Sequence, residues 1–391
     1  MTFFNEAKFL IKENIRDYGM YIALFVILLT FSILTDGLFM SSRNISNLLD
    51  SAGYIAVLAV GMTLVIVIRH IDLSVGFAAG FLGAIAAIFL TQMGVSVYIT
   101  IPVILVFGIF AGLFNGFLIA QIGIPAFVAT LAAMLIFRGA LLRVTERTGT
   151  IIVNDEKFNA LGNGFIPSIA EVNGLHLLTL IIGLAGILLY IYSEFSNRRN
   201  KKKYQFDVVS KGIFAMKLVL VSAVIAYITW ILAGYNGFSW TVVIMLAVVV
   251  IYHFLTTKTV LGRHIYAVGS NPEAAHLSGI NVKKITYIVF GSMGMLAALS
   301  GILFTSRLQS ATTTAGTLFE LDAIAAAYVG GVSSAGGVGK VTGAIIGAIV
   351  MASLTSGMNL MGVGISYQYI IRGGVLAAAV IFDVMTRRKR G

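Results

Sequence analysis

The chain has 391 residues, of which 58% are hydrophobic and only 11% are charged, and it contains four prolines and no cysteine. This composition excludes a water-soluble globule, a disulfide framework and a thiolate metal site, and it is typical of a membrane protein. The net charge of +11 could indicate nucleic-acid binding, but most of the 27 Lys and Arg residues flank apolar runs, where they act as topology signals instead. We therefore expect no nucleic-acid partner.

The apolar runs predict an all-α, polytopic transmembrane helical bundle. A bilayer core of about 30 Å needs roughly 20 helical residues to cross it, so the chain has room for about 10–12 spans. We place the spans at approximately 19–35, 53–69, 75–90, 98–119, 125–142, 175–192, 214–234, 240–256, 285–305, 321–332, 341–360 and 367–383.

The distribution of basic residues predicts the orientation of the chain. Lys8 and Lys12 precede the first span, a basic cluster follows the sixth, and Lys283 and Lys284 end the segment 257–284. By the positive-inside rule, both termini and residues 257–284 face the cytoplasm. Residues 193–256 then form a basic cytoplasmic linker near anionic lipid, followed by additional spans.

Several spans carry small residues at a spacing of four. Gly76 and Gly80 form one such pair, and Gly343 and Gly347 form another. Small residues at this spacing let helix backbones approach closely. The pairs predict tight packing of the bundle, and by themselves they do not indicate transport.

Two stretches interrupt the apolar pattern. They are GMTLVIVIRHIDLSVG at 61–76 and the glycine-rich YVGGVSSAGGVGKVTG at 328–343. Such interruptions predict discontinuous or re-entrant segments, which in transporters often mark the translocation pathway. Two ordinary short turns are an equally open alternative. GGVGK departs from the phosphate-loop pattern because Val341 follows Lys340 where Ser or Thr is required, so we expect no ATP site on this chain.

Polar residues within or beside the spans are the candidates for lining a substrate pathway, although each could equally be a helix-packing residue. Arg372 lies inside a span and needs an acidic partner, for which the sequence offers Asp72 or Asp383. The pathway candidates are Asp72, Ser74, Asn115, Gln121 and Arg372.

A short helix is predicted in the middle of the 257–284 segment. Asn271 suits the N-cap, Pro272 the first helical position, Glu273 the positive end of the helix dipole and Gly279 a left-handed end. The helix would have about two turns and a face of small residues, suited either to a groove on a partner or to a purely structural interfacial role. The residues concerned are Asn271, Pro272, Glu273, Ala274, Ala275, Ser278 and Gly279.

The sequence EAAHLSG at 273–279 resembles the cytoplasmic loop that bacterial ABC importer permeases insert into their ATPase subunit. The wider stretches GRHIYAVGSNPEAAHLSGINVKK and LFELDAIAAAYVGGVSSAGGVGKVTGAIIGA, with GMTLVIVIRHIDLSVG, resemble the ribose, galactose and xylose permease family. The likeness covers about residues 45–185 and 257–384 and favours the longer xylose and multiple-monosaccharide branch. Arg69 and His70 replace small residues of many members, and shorter members lack 193–256.

The resemblance implies a single transmembrane permease domain over residues 1–391, with 257–284 as its coupling loop, in the bacterial inner membrane. It implies a second permease subunit, an ABC ATPase with two nucleotide-binding domains that binds Mg-ATP, and a soluble sugar-binding protein. The chain itself would hold no cofactor or metal and catalyse no reaction. An ion- or proton-coupled secondary transporter, with Asp72 as carrier, and an ABC permease for branched-chain amino acids are the alternatives.

The stretch TLFELDAIAA at 317–326 allows two interpretations. Thr317 and Glu320 have the spacing of a capping box, in which Thr317 caps the helix and Glu320 is its third residue. Alternatively, Glu320 and Asp322 contact the sugar-binding protein. We expect the capping box.

Overall fold

The computed structural model describes residues 15–172, 174–206 and 208–388. The basic residues Lys8 and Lys12, predicted to precede the first span, lie outside the described residues. The helices are α1 Ile15–Leu34, α2 Ser42–Val67, α3 Val75–Thr91, α4 Val97–Phe117, α5 Ala126–Thr145, α6 Glu156–Asn163, α7 Leu177–Lys203, α8 Lys211–Ala233, α9 Trp240–Lys258, α10 Val260–Ser270, α11 Pro272–Leu277, α12 Val282–Leu308, α13 Phe319–Val329, α14 Val341–Leu360 and α15 Ile365–Arg388.

The predicted polytopic all-α bundle is confirmed. Within the described residues, nine helices are long and apolar enough to cross a membrane, and Gly19–Leu34 and Val75–Thr91 are shorter apolar helices. The predicted span at 321–332 is an eleven-residue helix, α13, which is separated from α14 by the glycine-rich residues 330–340. Eleven residues extend only about 16 Å, so this segment is discontinuous, as predicted.

The centre of the bundle is α12, which packs against α4, α3 and α2, while α14 packs against α2 and α13. Phe290, Met293 and Leu296 of α12 are fully buried among these neighbours. Burial on all sides explains why α12 shows no amphipathic period, since a helix that is apolar all round has no solvent face.

The small-residue pairs mark the closest helix contacts. A Cβ atom added to Gly347 would overlap the carbonyl oxygen of Ala326 in α13, and one added to Gly343 would overlap that of Gly330. Gly76 and Gly80 lie in the same way against residues 315–320. The predicted close backbone approach is therefore confirmed at both pairs.

The two ends of the bundle differ in structure and charge. We call the end that carries Lys258, Lys283, Lys284 and Lys340 the basic end. The opposite end carries α6 and a two-stranded antiparallel ladder between β1, Thr150–Ile152, and β4, Ser310–Thr312. A second short ladder there joins β2, Glu171–Val172, to β3, Leu175–His176. These elements cover the opposite end between α5 and α13.

The hairpin of α7 and α8 lies at the periphery of the bundle. Its two helices pack mainly against each other, with a salt bridge of 2.8 Å between Lys217 and Glu194. The guanidinium of Arg198 lies 4.5 Å from the centre of the Phe214 ring. Because α7 continues to Lys203, only residues 204–210 connect the two helices at the basic end.

Candidate functional site

A polar cavity of about 500 Å3 opens at the opposite end, between α2, the start of α13, α14 and α15. Its volume lies within the range of small-molecule sites. Hydroxyl and amide side chains dominate the polar part of the lining, and one ion pair adds charge. The polar lining consists of Asn44, Asn47, Ser51, Tyr54, Thr317, Asp322, Thr355, Ser356, Asn359, Tyr369 and Arg372.

The charged part of this cavity is the ion pair between Arg372 of α15 and Asp322 of α13. The exposed fractions of their side chains are 19% and 18%, so both charges are largely shielded from solvent. The predicted partners of Arg372 were wrong. Asp72 lies at the basic end, and Asp383 accepts hydrogen bonds from the backbone N–H and the hydroxyl of Ser334 at 3.1 and 3.0 Å.

Aromatic rings form one wall of the cavity. The ring centroids of Tyr54 and Phe319 are 5.1 Å apart, and Phe304 packs against both at 5.2 and 4.9 Å. Elsewhere at the cavity, the Ser356 hydroxyl donates to Asn44 Oδ1 at 3.0 Å, and the Gln368 amide donates to Asn359 Oδ1 at 2.8 Å. An apolar face beside fixed hydroxyls and amides suits a compact polyhydroxylated solute.

The sequence contained a signal for this cavity that we did not use. Asn44, Asn47, Ser51 and Tyr54 recur every three or four residues, so on a helix they share one face. The second span is predicted to begin at residue 53, whereas α2 begins at Ser42. Asn44, Asn47 and Ser51 therefore precede the predicted span.

The predicted capping box at the start of α13 was wrong. The N-cap residue is Leu318, in a left-handed conformation, and the Thr317 hydroxyl donates to the carbonyl oxygen of Thr314 at 2.7 Å. Glu320 is buried against Gly76 of α3 instead of reaching back to Thr317. Thr317 fails as a cap because its backbone lies in the preceding turn.

Three of the predicted pathway residues lie together at the basic end, in and beside the turn between α2 and α3. The Asp72 carboxylate accepts from the backbone N–H and the hydroxyl of Ser74 at 2.9 and 2.6 Å, and the Asn115 amide donates to the Ser74 hydroxyl at 2.9 Å. All three side chains are buried. The cluster joins the turn to α4, which is what a packing role requires.

The remaining candidate, Gln121, lies apart from that cluster. It is exposed, in a single π-helical turn that follows α4 from Leu118 to Ile122. Its Oε1 is 3.5 Å from the Lys283 ammonium group. Of the five predicted pathway residues, only Arg372 lines the polar cavity.

Three segments meet beside the turn that follows α2, in what we call the basic-end junction: residues 67–70, the end of α10, and residues 331–340. The Arg69 guanidinium donates to the carbonyl oxygens of Gly269, at 2.7 Å, and Ser270. The backbone N–H of Gly337 donates to the carbonyl of Val67 at 2.8 Å. Arg69 adopts a positive φ of 66°, a conformation that these contacts stabilise.

The predicted helix of the 257–284 segment is α11, and its ends are built as expected. The Asn271 side chain accepts from the backbone N–H of Ala274 at 3.0 Å, and Pro272 is the first helical residue. Gly279 has a φ of 83°, while its N–H donates to His276 and that of Ile280 donates to Ala275. This is the hydrogen-bond pattern of a Schellman motif.

The small residues of α11 do not all face one way. Ala275 is buried against the protein, whereas Ala274, Ser278 and Gly279 are exposed. The side chain of Leu277 beside them is 87% exposed. The free surface of α11 therefore consists of small residues around one projecting leucine, a shape suited to insertion into a groove.

This fold and sequence define a membrane permease component of a transport system. Residues 44–380 match the family described as branched-chain amino acid transport system / permease component, and the chain belongs to this family. No solved structure matches the chain.

Three curated relatives of this sequence are named as sugar permeases. The chain is 38% identical over 376 residues to the xylose transport system permease protein XylH of Haemophilus influenzae, covering 96% of this chain and 98% of the relative. It is 37% identical to XylH of Escherichia coli K12, covering 96% and 93%. The ribose import permease protein RbsC of the same strain is 32% identical, covering 96% of each chain.

Proposed function

We propose that the chain is the transmembrane permease subunit of an ATP-driven ABC importer for a monosaccharide, with xylose as the first substrate to test. The observation that carries this proposal is the polar cavity, which combines hydroxyls, amides, one ion pair and an aromatic wall. A sugar must replace its hydration shell to cross the membrane, and these groups supply the substitute hydrogen bonds. The named relatives support the same substrate class.

The energy for transport is supplied at the basic end of the bundle. We assign α11 as the helix that docks on an ABC ATPase with two nucleotide-binding domains, where Mg-ATP is bound and hydrolysed. The basic end and both termini then face the cytoplasm of a bacterial cell, across the inner membrane. The exposed Leu277 and its small neighbours carry this assignment.

The opposite end of the bundle is where the sugar enters the importer. A soluble sugar-binding protein delivers the monosaccharide there, beside the mouth of the polar cavity. A second copy of this permease forms the other half of the pathway, since a cavity that opens to the outside of one bundle needs a facing wall to enclose a solute. The sugar is recognised first by the binding protein and then by the cavity.

Movement of the ATPase is transmitted from α11 to the rest of the bundle through the chain connection to α10 and through hydrogen bonds. Displacing α11 moves α10, because only Asn271 separates the two helices. The end of α10 is hydrogen-bonded to Arg69 within the basic-end junction. The junction includes residues 331–340, which lead directly into α14, one of the walls of the cavity. An ATP-dependent change in the contacts of α11 can thereby shift the equilibrium between two forms of the cavity.

Uptake by sealed vesicles tests the proposal. The permease, its ATPase and its binding protein are reconstituted together, and uptake of labelled xylose, ribose and leucine is measured with and without internal ATP. We expect xylose uptake that requires ATP and both partners. Uptake by the permease alone, driven by a proton or sodium gradient, would establish a secondary transporter instead. ATP-driven uptake of leucine but not xylose would assign the chain to amino acids.

A further inference from the structure

A second open groove, of about 380 Å3, lies at the basic end, far from the polar cavity. It runs between the end of α4 and the first two turns of α12. We call it the lysine groove. Its lining consists of Leu113, Gln121, Asn281, Lys283, Lys284, Tyr287 and Ile288.

The charge of the lysine groove has one sign. Lys283 and Lys284 are adjacent and exposed, and none of the side chains that line the groove is acidic. The Lys283 ammonium group lies 3.5 Å from Gln121 Oε1 on the facing element, so it extends across the mouth of the groove. Two ammonium groups without an acidic neighbour at the groove attract an anion.

The groove also has a gradient of polarity along the helix axis. Ile288 follows Lys283 by five residues, so it lies about 7.5 Å further into the bundle. On the facing helix, Leu113 also lines the groove and lies beside Gly291, which is three residues further along α12 than Ile288. Beside it, α4 exposes Phe114 and Phe117, whose exposed fractions are 49% and 44%. The anion-binding mouth therefore leads onto an apolar surface that faces outward from the bundle.

We propose that the lysine groove binds one anionic phospholipid. The phosphate group contacts Lys283 and Lys284, the Tyr287 hydroxyl and Gln121 lie at headgroup level, and an acyl chain covers the surface of α4 that Phe114 and Phe117 expose. A headgroup anion with an attached hydrocarbon chain satisfies both parts of the groove, whereas a free phosphate satisfies only its mouth. Basic pockets between helices at one membrane face are the sites that recognise such headgroups.

The same groove is a poor candidate for ATPase docking. The exposed part of α11 projects Leu277, which lies outside the groove lining. The groove's own exposed surroundings are phenylalanines of a membrane-spanning helix, which face hydrocarbon in a bilayer. The lipid site is therefore distinct from the surface assigned to the ATPase, and the proposal does not depend on the identity of the transported solute.

Native mass spectrometry of the full-length permease in mild detergent tests this site. The protein is titrated with phosphatidylglycerol, with phosphatidylcholine and with inorganic phosphate. We expect one phosphatidylglycerol to be retained about tenfold more strongly than phosphatidylcholine, because the two lysines each add attraction for the anionic headgroup. The double variant K283Q/K284Q should lose this preference. The matched control K201Q/K202Q, which removes two lysines from the end of α7, should keep it.

Three results would overturn the proposal. The first is an unchanged preference for phosphatidylglycerol in K283Q/K284Q, with folding verified by an unaltered elution volume. The second is an equal loss in K201Q/K202Q, which would mean that total charge and not the groove selects the lipid. The third is binding of inorganic phosphate that is as strong as binding of phosphatidylglycerol.

Discussion

The ion pair between Asp322 and Arg372 allows the role of the polar cavity to be separated from its stability. Asp322→Asn or Arg372→Gln alone leaves the other charge without its partner. Combining both changes in D322N/R372Q removes both charges while keeping side chains of similar size. If the pair is only structural, stability and transport should change together across these three variants. If the pair binds substrate, transport should stay low in the double variant even where stability recovers.

The expected magnitudes follow from the burial of the pair. The exposed fractions of the two side chains are 19% and 18%, so each single change leaves a largely buried charge and costs about 3 kcal/mol of stability. At about 2 °C per kcal/mol, the apparent Tm should fall by about 6 °C. The double variant should recover most of this loss, because no unpaired charge remains.

Transport should not recover with stability. Hydrogen bonds from charged groups to a sugar hydroxyl contribute about 1.5–3 kcal/mol, so their loss should reduce xylose uptake by about tenfold to a hundredfold. The assay compares thermal shift in detergent with ATP-driven uptake in vesicles. Asp50 and Arg307 form an ion pair outside the cavity, 3.5 Å apart, and D50N/R307Q is the matched control. Wild-type uptake by D322N/R372Q would refute the assignment of this pair to the sugar.

Three further substitutions test the basic end. Gly269→Ala should lower the Tm by several degrees and reduce ATP-driven uptake, because the added Cβ would overlap the Val67 carbonyl oxygen. The control is Gly373→Ala, whose added Cβ would meet no atom within 4 Å and which should change neither the Tm nor uptake. Burial lowers the pKa of His70 below its ordinary value of 6.5, so the unfolded chain binds the proton first as the pH falls, and the stability of the fold should decrease below about pH 6.5. His70→Gln should reduce this decrease in a series of thermal-shift measurements at different pH values. The same pH dependence in the wild type and the variant would contradict this role of His70. Leu277→Ser should reduce co-purification of the ATPase by about tenfold. It should leave the Tm unchanged, because the Leu277 side chain is 87% exposed. Undiminished co-purification would show that α11 does not dock on the ATPase.

Features specified by neighbouring residues could be predicted from the sequence. α11 is an example, since Asn271, Pro272 and Gly279 each define one position of a short helix by their own backbone and side-chain chemistry. The close contacts at Gly343 and Gly347 were also predictable, because only a residue without a side chain permits them. In both cases the signal lies in a short stretch of sequence.

Features that depend on distant contacts could not be predicted in this way. The partner of Arg372 comes from α13, and nothing in the sequence distinguishes Asp322 from Asp72 or Asp383 as the neighbour in space. The conformation of Leu318 likewise depends on the turn that precedes it, so the spacing of Thr317 was misleading. The cavity was missed because its polar face lowers the hydropathy of the helix that carries it.

The length of α12 has a mechanical consequence. It runs without interruption from Val282, close to α11, to Leu308 at the other membrane face, a distance of about 40 Å for its 27 residues. Near its far end, Phe304 packs against Tyr54 and Phe319, which line the cavity. In a rod of that length, a tilt of about 5° displaces one tip by about 3.5 Å relative to the other. That displacement exceeds the diameter of a water molecule, so a small tilt of α12 is enough to change the width of the cavity beside its far end.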